Sequence, residues 1–249
     1  MGRDAELPIP SVDDSPGLKA LPFTLGAIAG SVDVIGFLGL NGLFTAHITG
    51  NLVILAAHIV AGREASLPLM ISVPVFIFAL AMTRLLAAGL GRARIAPLRI
   101  LLLLQLVLLC AFLTFCLAAG SHVNPNTPSM IVASMLGVCA MAVQNALVRI
   151  ALTGAPATAV LTTNITVLTM DLGEMLLGRN ANAIGKARDR AKHTWPAIAG
   201  FLLGCVLGAS CEAVLGLRSL VLPTALALVA FALGVGRSLS AQNAAHGVQ

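Results

Sequence analysis

The chain has 249 residues, 58% of them apolar and only 10% charged, with a formal net charge of +5 and a mean hydropathy of +0.96. Soluble domains are roughly 45–50% apolar and about 25% charged, so an ordinary water-soluble domain is excluded and most of the chain expects lipid. The basic excess sits in a few connections, where it bears on orientation in a bilayer; neither nucleic acid nor a cofactor is expected as a partner.

Residues 1–18 mix Arg3 with Asp4, Glu6, Asp13 and Asp14 and read as a disordered polar tail. Eight apolar segments follow: Leu18–Leu40, Phe44–Ala61, Leu69–Leu90, Ile100–Ala119, Met130–Leu152, Ala157–Leu177, Pro196–Leu217 and Leu220–Val235, with a second polar tail over 237–249. Several reach the roughly 20 residues that a helix needs to cross a hydrocarbon core. The short alternating segments of a closed barrel are missing. The fold class is therefore an all-α integral membrane protein. Cys110, Cys116, Cys139, Cys205 and Cys211 all lie inside apolar runs without CxxC spacing and read as packing residues.

The second and sixth segments are the most polar, and each follows its predecessor after a short break, at Asn41-Gly42 and Thr153-Gly154. An internal repeat accounts for this. Thr49-Gly50-Asn51 recurs as Thr162-Thr163-Asn164, 113 residues later; Asp33 and the pair Gln144-Asn145 precede the motifs, and His58 and Asp171 each follow their Asn by seven residues. The repeats are 19–119 and 129–236, joined by an external loop over 120–128 whose only titratable group is His122. Arg92, Arg94 and Arg99, and Arg179, Lys186, Arg188, Arg190 and Lys192, form the two basic connections. Both should be cytoplasmic. Eight full crossings and a parallel repeat would put them on opposite sides. Six full spans plus two re-entrant or discontinuous segments, 44–61 and 157–177, put both inside with both termini; three spans per repeat then makes the repeats inverted.

Gly30-Ser31-Val32-Asp33-Val34-Ile35-Gly36-Phe37-Leu38, followed by Gly42-Leu43-Phe44-Thr45-Ala46-His47-Ile48-Thr49-Gly50-Asn51, resembles the signature of the YoaK-like bacterial membrane proteins, a family grouped as a domain of unknown function. Ala142-Val143-Gln144-Asn145-Ala146-Leu147-Val148-Arg149, with Thr158 and Thr162-Thr163-Asn164, resembles its second block, with Thr163 standing where the first block has Gly50. The resemblance covers nearly the whole chain after the tail. It implies a multi-pass protein of the bacterial plasma membrane and supplies no substrate or reaction.

Polar groups at membrane depth are costly, so they face a cavity, a partner or the bundle interior. Asp33 either binds a cation or relays a proton, or it accepts hydrogen bonds from Thr49 or Asn51 and holds the re-entrant segment. Gly50 permits a helix break, while Thr49, Asn51, Thr163 and Asn164 either line a polar pathway or satisfy freed backbone. His47 and His58 lie on the Asn51 face of a regular helix, too far apart to share a metal ion. No metal site is expected. Asp171 and Glu174 either join the pathway or pair with the neighbouring basic residues, and Arg84 and Arg149 either snorkel to headgroups or hold a ligand. Trp195 reads as an interfacial anchor. Gly200, Gly204 and Gly208 form a packing face, internal or between copies in a homo-oligomer.

HExxH, nucleophile-elbow, GxGxxG and P-loop patterns are missing. The leading expectation is a transporter or channel-like protein for a small polar solute or ion, with proton coupling through Asp33 or His58 as an option. The alternative is a non-transport helical scaffold or an intramembrane enzyme using His47 and Asp33.

Overall fold

The computed structural model describes residues 16–119, 124, 126–152, 154–158 and 160–246, with side chains over 20–236. Residues 1–15 of the expected polar tail, His122 with most of the expected external loop, and Thr153 lie outside the described residues. Among the described residues the elements are α1 (Pro16–Gly39), α2 (Ile48–Val60), α3 (Leu67–Arg92), α4 (Pro97–Ala119), α5 (Pro128–Ala151), α6 (Leu161–Leu177), α7 (Ala181–Leu215), a 3-10 turn (Gly216–Leu220) and α8 (Val221–His246). Five stretches are long and apolar enough to cross a membrane: Ala20–Gly39, Leu67–Arg92, Pro97–Ala119, Pro128–Ala151 and Ala181–Gly236, the last running through α7, the turn and α8. The chain is an all-α, multi-span membrane protein, the form in which each span satisfies its own backbone.

Helix boundaries follow local backbone chemistry. α1 ends where Asn41 (φ 58°) and Gly42 (φ 83°) turn left-handed, and the Gly42 N–H returns to the Phe37 carbonyl at 2.9 Å. α3 and α5 carry proline in their first turn, Pro68 and Pro128, where a missing N–H costs nothing. Three boundaries differ from the apolar pattern. α2 begins at Ile48 and α6 at Leu161, not at Phe44 and Ala157, because the residues ahead of them are held out of helix by side chains of the site. α7 begins at Ala181, well before Pro196: its first turns are polar, but Asn180 caps them by accepting from the Asn182 and Ala183 N–H groups at 2.9 and 3.4 Å. α8 likewise continues beyond 236, into the expected polar tail.

α1 and α5 form the centre. Of their apolar stretches 72% and 67% are buried, against 22% in α3 and 33% in α4. The most extensive helix contact is between α1 and α7. A methyl group on Gly200 would stand 2.1 Å from the Phe23 carbonyl oxygen, one on Gly204 2.3 Å from that of Ala27, and one on Gly208 2.9 Å from the Ser31 Cα. The matched four-residue steps mean that α1 and α7 run in the same direction. They also spend the glycine face inside the chain. The expectation of a homo-oligomer built through Gly200, Gly204 and Gly208 is therefore corrected: these glycines are buried against α1.

α5 runs against α1. Gln144 donates to the Leu25 carbonyl at 2.9 Å, while Gly137, two turns earlier, faces Thr45, the residue that also packs on Gly36. α4 opposes α5, through Gln105 on Gln144 and Phe112 on Gly137. α8 opposes α4, with Gly234 on Leu102 and the turn before α8 against the far part of α4 and the end of α1. The segment between α2 and α3 lies beside the one preceding α5, since Leu67 N–H donates to the Asn126 side-chain oxygen at 3.3 Å.

Candidate functional site

The segments ahead of α2 and α6 are non-helical backbone packed into the bundle, and each is held by side chains from nearby elements. Asp33, buried in α1, points Oδ1 at the first of them. It accepts from the Thr45 N–H at 2.8 Å, the Ala46 N–H at 2.6 Å and the Thr45 hydroxyl at 3.2 Å. Oδ2 meets Nδ1 of His47. The expected partners of Asp33, Thr49 and Asn51, are not the observed ones. The carboxylate instead fixes the three residues just before α2, a good use of charge-assisted acceptors on unpaired backbone.

Asn51 turns back on the same segment. Its Oδ1 accepts from the Phe44 N–H at 2.9 Å, and its Nδ2 donates to the Phe44 carbonyl at 2.8 Å and to Ser72 Oγ of α3 at 3.1 Å. Asn164 repeats the move: its Nδ2 donates to the Ala157 carbonyl at 2.6 Å, also seven residues upstream. The recurring Asn thus closes a ring over the backbone that enters each short helix. Gly50 sits against the Phe44 ring, where a methyl group would approach Cδ2 to 2.8 Å.

Gln144 performs a third bracing task. Its Nε2 donates to the Leu25 carbonyl and to Thr158 Oγ1, both at 2.9 Å, and its Oε1 accepts from Gln105 Nε2 at 2.6 Å. Gln105, a single polar residue in an apolar run with no motif around it, is fully buried in α4, and its Oε1 has no partner among the described residues. This network ties α1, α4, α5 and the segment before α6 together.

A cavity of about 850 Å³ opens between the two interrupted segments. Residues 46–49 bring the start of α2 to it and residues 160–162 the start of α6; Phe76, Ile77, Leu80, Ala81 and Arg84 of α3 and Asn145, Ala146, Arg149 and Ile150 of α5 form the walls. His47 is the N-cap residue of α2, not part of its helical face. Its ring lies edge-on to Phe201 of α7 at 5.5 Å and near Phe44 at 6.1 Å, with the side chain one-third exposed. With Nδ1 taken by Asp33, Nε2 is the nitrogen that can meet a solute.

Of the residues singled out from sequence, His47, Thr49 and Asn145 line the cavity, with Asp33 directly behind His47. Gly50, Asn51, Gln144 and Asn164 brace the backbone around it. Thr163 is exposed beside the lining residue Thr162. His58 and Asp171 stand apart from it. His58 Nδ1 is buried without a hydrogen-bond partner among the described residues, and Asp171 is buried in a two-pronged contact with Arg190, whose Nε lies 3.0 Å from Oδ1. Arg84 and Arg149, each open to a headgroup or a ligand role from the sequence, both line the cavity and are exposed.

A family model described as a protein of unknown function, DUF1275, matches residues 21–233. No curated protein and no solved structure matches the chain.

Proposed function

The chain belongs to the DUF1275 family, and we propose that it is a transporter or channel-like protein of the bacterial plasma membrane that carries a small polar solute or ion through the cavity between α2 and α6. The observation that carries this reading is the meeting of both interrupted segments at one void. A helix scaffold needs no cavity beside its buried polar groups. A solute path needs one, and discontinuous helices at the midplane are a recurring way to build it.

The arrangement proposed around it has six crossing helices, α1, α3, α4, α5, α7 and α8, with α2 and α6 as half-length elements entering from opposite faces. Residues 19–119 and 129–236 are then two inverted repeats, and both termini are cytoplasmic. Three observations support this. α1 and α5, which hold equivalent places in the two repeats, run in opposite directions. α1 packs on α7 of the other repeat, and α5 packs on α3. The two basic connections lie at the same end of the bundle, since Gln144 joins Leu25, near the start of α1, to Gln105, near the start of α4, and α7 runs parallel to α1.

The two seams differ in a way that fits alternating access. α1 and α7 are closed by backbone contact through glycine, while α3 and α5 part around the cavity. Rocking of one repeat against the other would exchange them. The contact between His47 and Asp33 favours a second reading, an intramembrane enzyme with His47 as general base.

The test starts with a solute found by comparing uptake in deleted and complemented cells, and then uses purified protein in vesicles. Ala81→Trp puts bulk into the cavity from α3, while Met82→Trp places the same bulk on the exposed opposite face of that helix. Uptake should fall at least tenfold in the first and stay near wild type in the second. Equal uptake in both would remove the cavity from the path. Turnover of a lipid or peptide by the purified protein without uptake would favour the enzyme.

A further inference from the structure

Arg84 and Arg149 come from different helices and different halves of the chain, yet both face the same cavity. Neither has an ion-pair or hydrogen-bond partner among the described residues, and no Asp or Glu lines the void. The carboxylate behind His47, Asp33, is taken up by Thr45, Ala46 and His47. The short helices α2 and α6 add to the same sign of charge. Each starts at the cavity, and neither His47 nor Val160 caps its helix with a side-chain hydrogen bond. Their first N–H groups and positive dipole ends are therefore presented to the void. Between these cationic groups the walls are apolar, built from Phe76, Ile77, Leu80, Ile150 and Leu161.

We propose that the cavity binds an organic anion, a carboxylate with an apolar body, whose charged group is held by Arg84 and Arg149 with help from His47. Two guanidinium groups suit one or two carboxylates, since Arg offers paired donors in a planar fork. The apolar walls favour such a molecule over an inorganic anion or a sugar, because an apolar body buries against them while a fully hydrated group there would lose water to surfaces that offer no hydrogen bonds. An organic cation would face two positive charges that no carboxylate lining the cavity offsets. The anion is cargo only if the cavity is a transport path, the reading on which that role rests; as a ligand it requires only the binding site.

The experiment separates the two. Purified protein in a neutral detergent is titrated with benzoate, 3-phenylpropionate, succinate, 3-phenylpropanamide, 3-phenylpropylammonium and sulfate, and binding is read from thermal unfolding and calorimetry. An apolar carboxylate should bind, and its amide, the ammonium compound and sulfate should not. Arg84→Gln and Arg149→Gln should each weaken binding about tenfold or more. Arg84→Lys and Arg149→Lys, which keep the charge, should recover part of the loss while unfolding near the wild-type temperature. Binding without uptake in vesicles would leave the site standing and remove transport. Uptake of a cationic or neutral solute without any carboxylate binding would do the reverse. Stabilisation by added phosphatidylglycerol alone, with no response to any soluble carboxylate, would overturn the proposal and assign both arginines to lipid headgroups.

Discussion

Asn51 and Asn164 illustrate how a single side chain permits interrupted backbone inside a bilayer. A chain that leaves helical form there exposes N–H and C=O groups with no water to receive them. Asn has one acceptor and one donor group side by side, which matches a peptide unit facing it. Asn51 uses both on Phe44 and adds Ser72, whereas Asn164 makes one bond, to Ala157. Asn51→Ala should therefore be the costlier change. It strands the part-buried Phe44 N–H and C=O, while Asn164→Ala strands the Ala157 carbonyl alone, at about 1–3 kcal/mol for each group. Chemical or thermal unfolding in detergent checks the order, and equal losses would refute it. The recurrence of Asn was legible in the sequence, and so was the need for a break near Gly50. The partners were not, because reading residues 44–51 as continuous helix places Phe44 and Asn51 as neighbours on a helical face, not as a closed ring. That Arg84 and Arg149 share one cavity was not legible for a related reason: each lies at a depth from which its side chain can reach headgroups, and sequence does not bring the two helices together.

At the level of elements, the seam between α1 and α7 decides where the bundle is tight. Glycine at every fourth position lets backbones approach until side chains of one helix rest on the peptide groups of the other. The spacing of Gly200, Gly204 and Gly208 is plain in the sequence, but the identity of the opposing face, Phe23, Ala27 and Ser31, depends on pairing helices 175 or more residues apart. Gly204→Ala puts a methyl group 2.3 Å from the Ala27 carbonyl oxygen, so the helices must separate. Overpacking of this kind costs about 1–3 kcal/mol. Gly185→Ala, in the same helix but with nothing within 4 Å of its new Cβ, should be neutral or stabilise by about 0.5–1 kcal/mol through helix propensity. Unfolding temperatures of the two variants in one detergent provide the comparison, and a Gly204→Ala protein as stable as Gly185→Ala would show that the seam is not closed. The early start of α7 is the opposite lesson. Its first turns carry Lys186, Arg188, Arg190 and Lys192 and look like a loop by charge, yet Lys and Arg are good helix formers and Asn180 supplies the cap.

For the whole molecule, helix direction and charge argue for the same topology from independent premises. The basic connections require a common side if Lys and Arg stay cytoplasmic, and the contacts of α1 with α7, of α5 against α1 and of α4 against α5 and α8 give each helix a direction without reference to charge. Followed along the chain, these directions put residues 93–96 and 178–180 at one end and 61–66 with 124–127 at the other. Single cysteines at Ile95, Arg179, Glu64 and Asn124, in a background from which Cys110, Cys116, Cys139, Cys205 and Cys211 have been removed, make this measurable. With a membrane-impermeant maleimide applied to intact cells, Glu64→Cys and Asn124→Cys should react, and Ile95→Cys and Arg179→Cys should react only after the membrane is opened. Eight full crossings from the same cytoplasmic start give a different pattern: Ile95→Cys alone would react from outside, and the other three would be protected. The two arrangements disagree at three of the four positions. That disagreement matters for the cavity as much as for the spans. Only if α2 and α6 stop halfway do their first turns face each other from opposite sides, and only then can one void carry the positive ends of both helices together with Arg84 and Arg149.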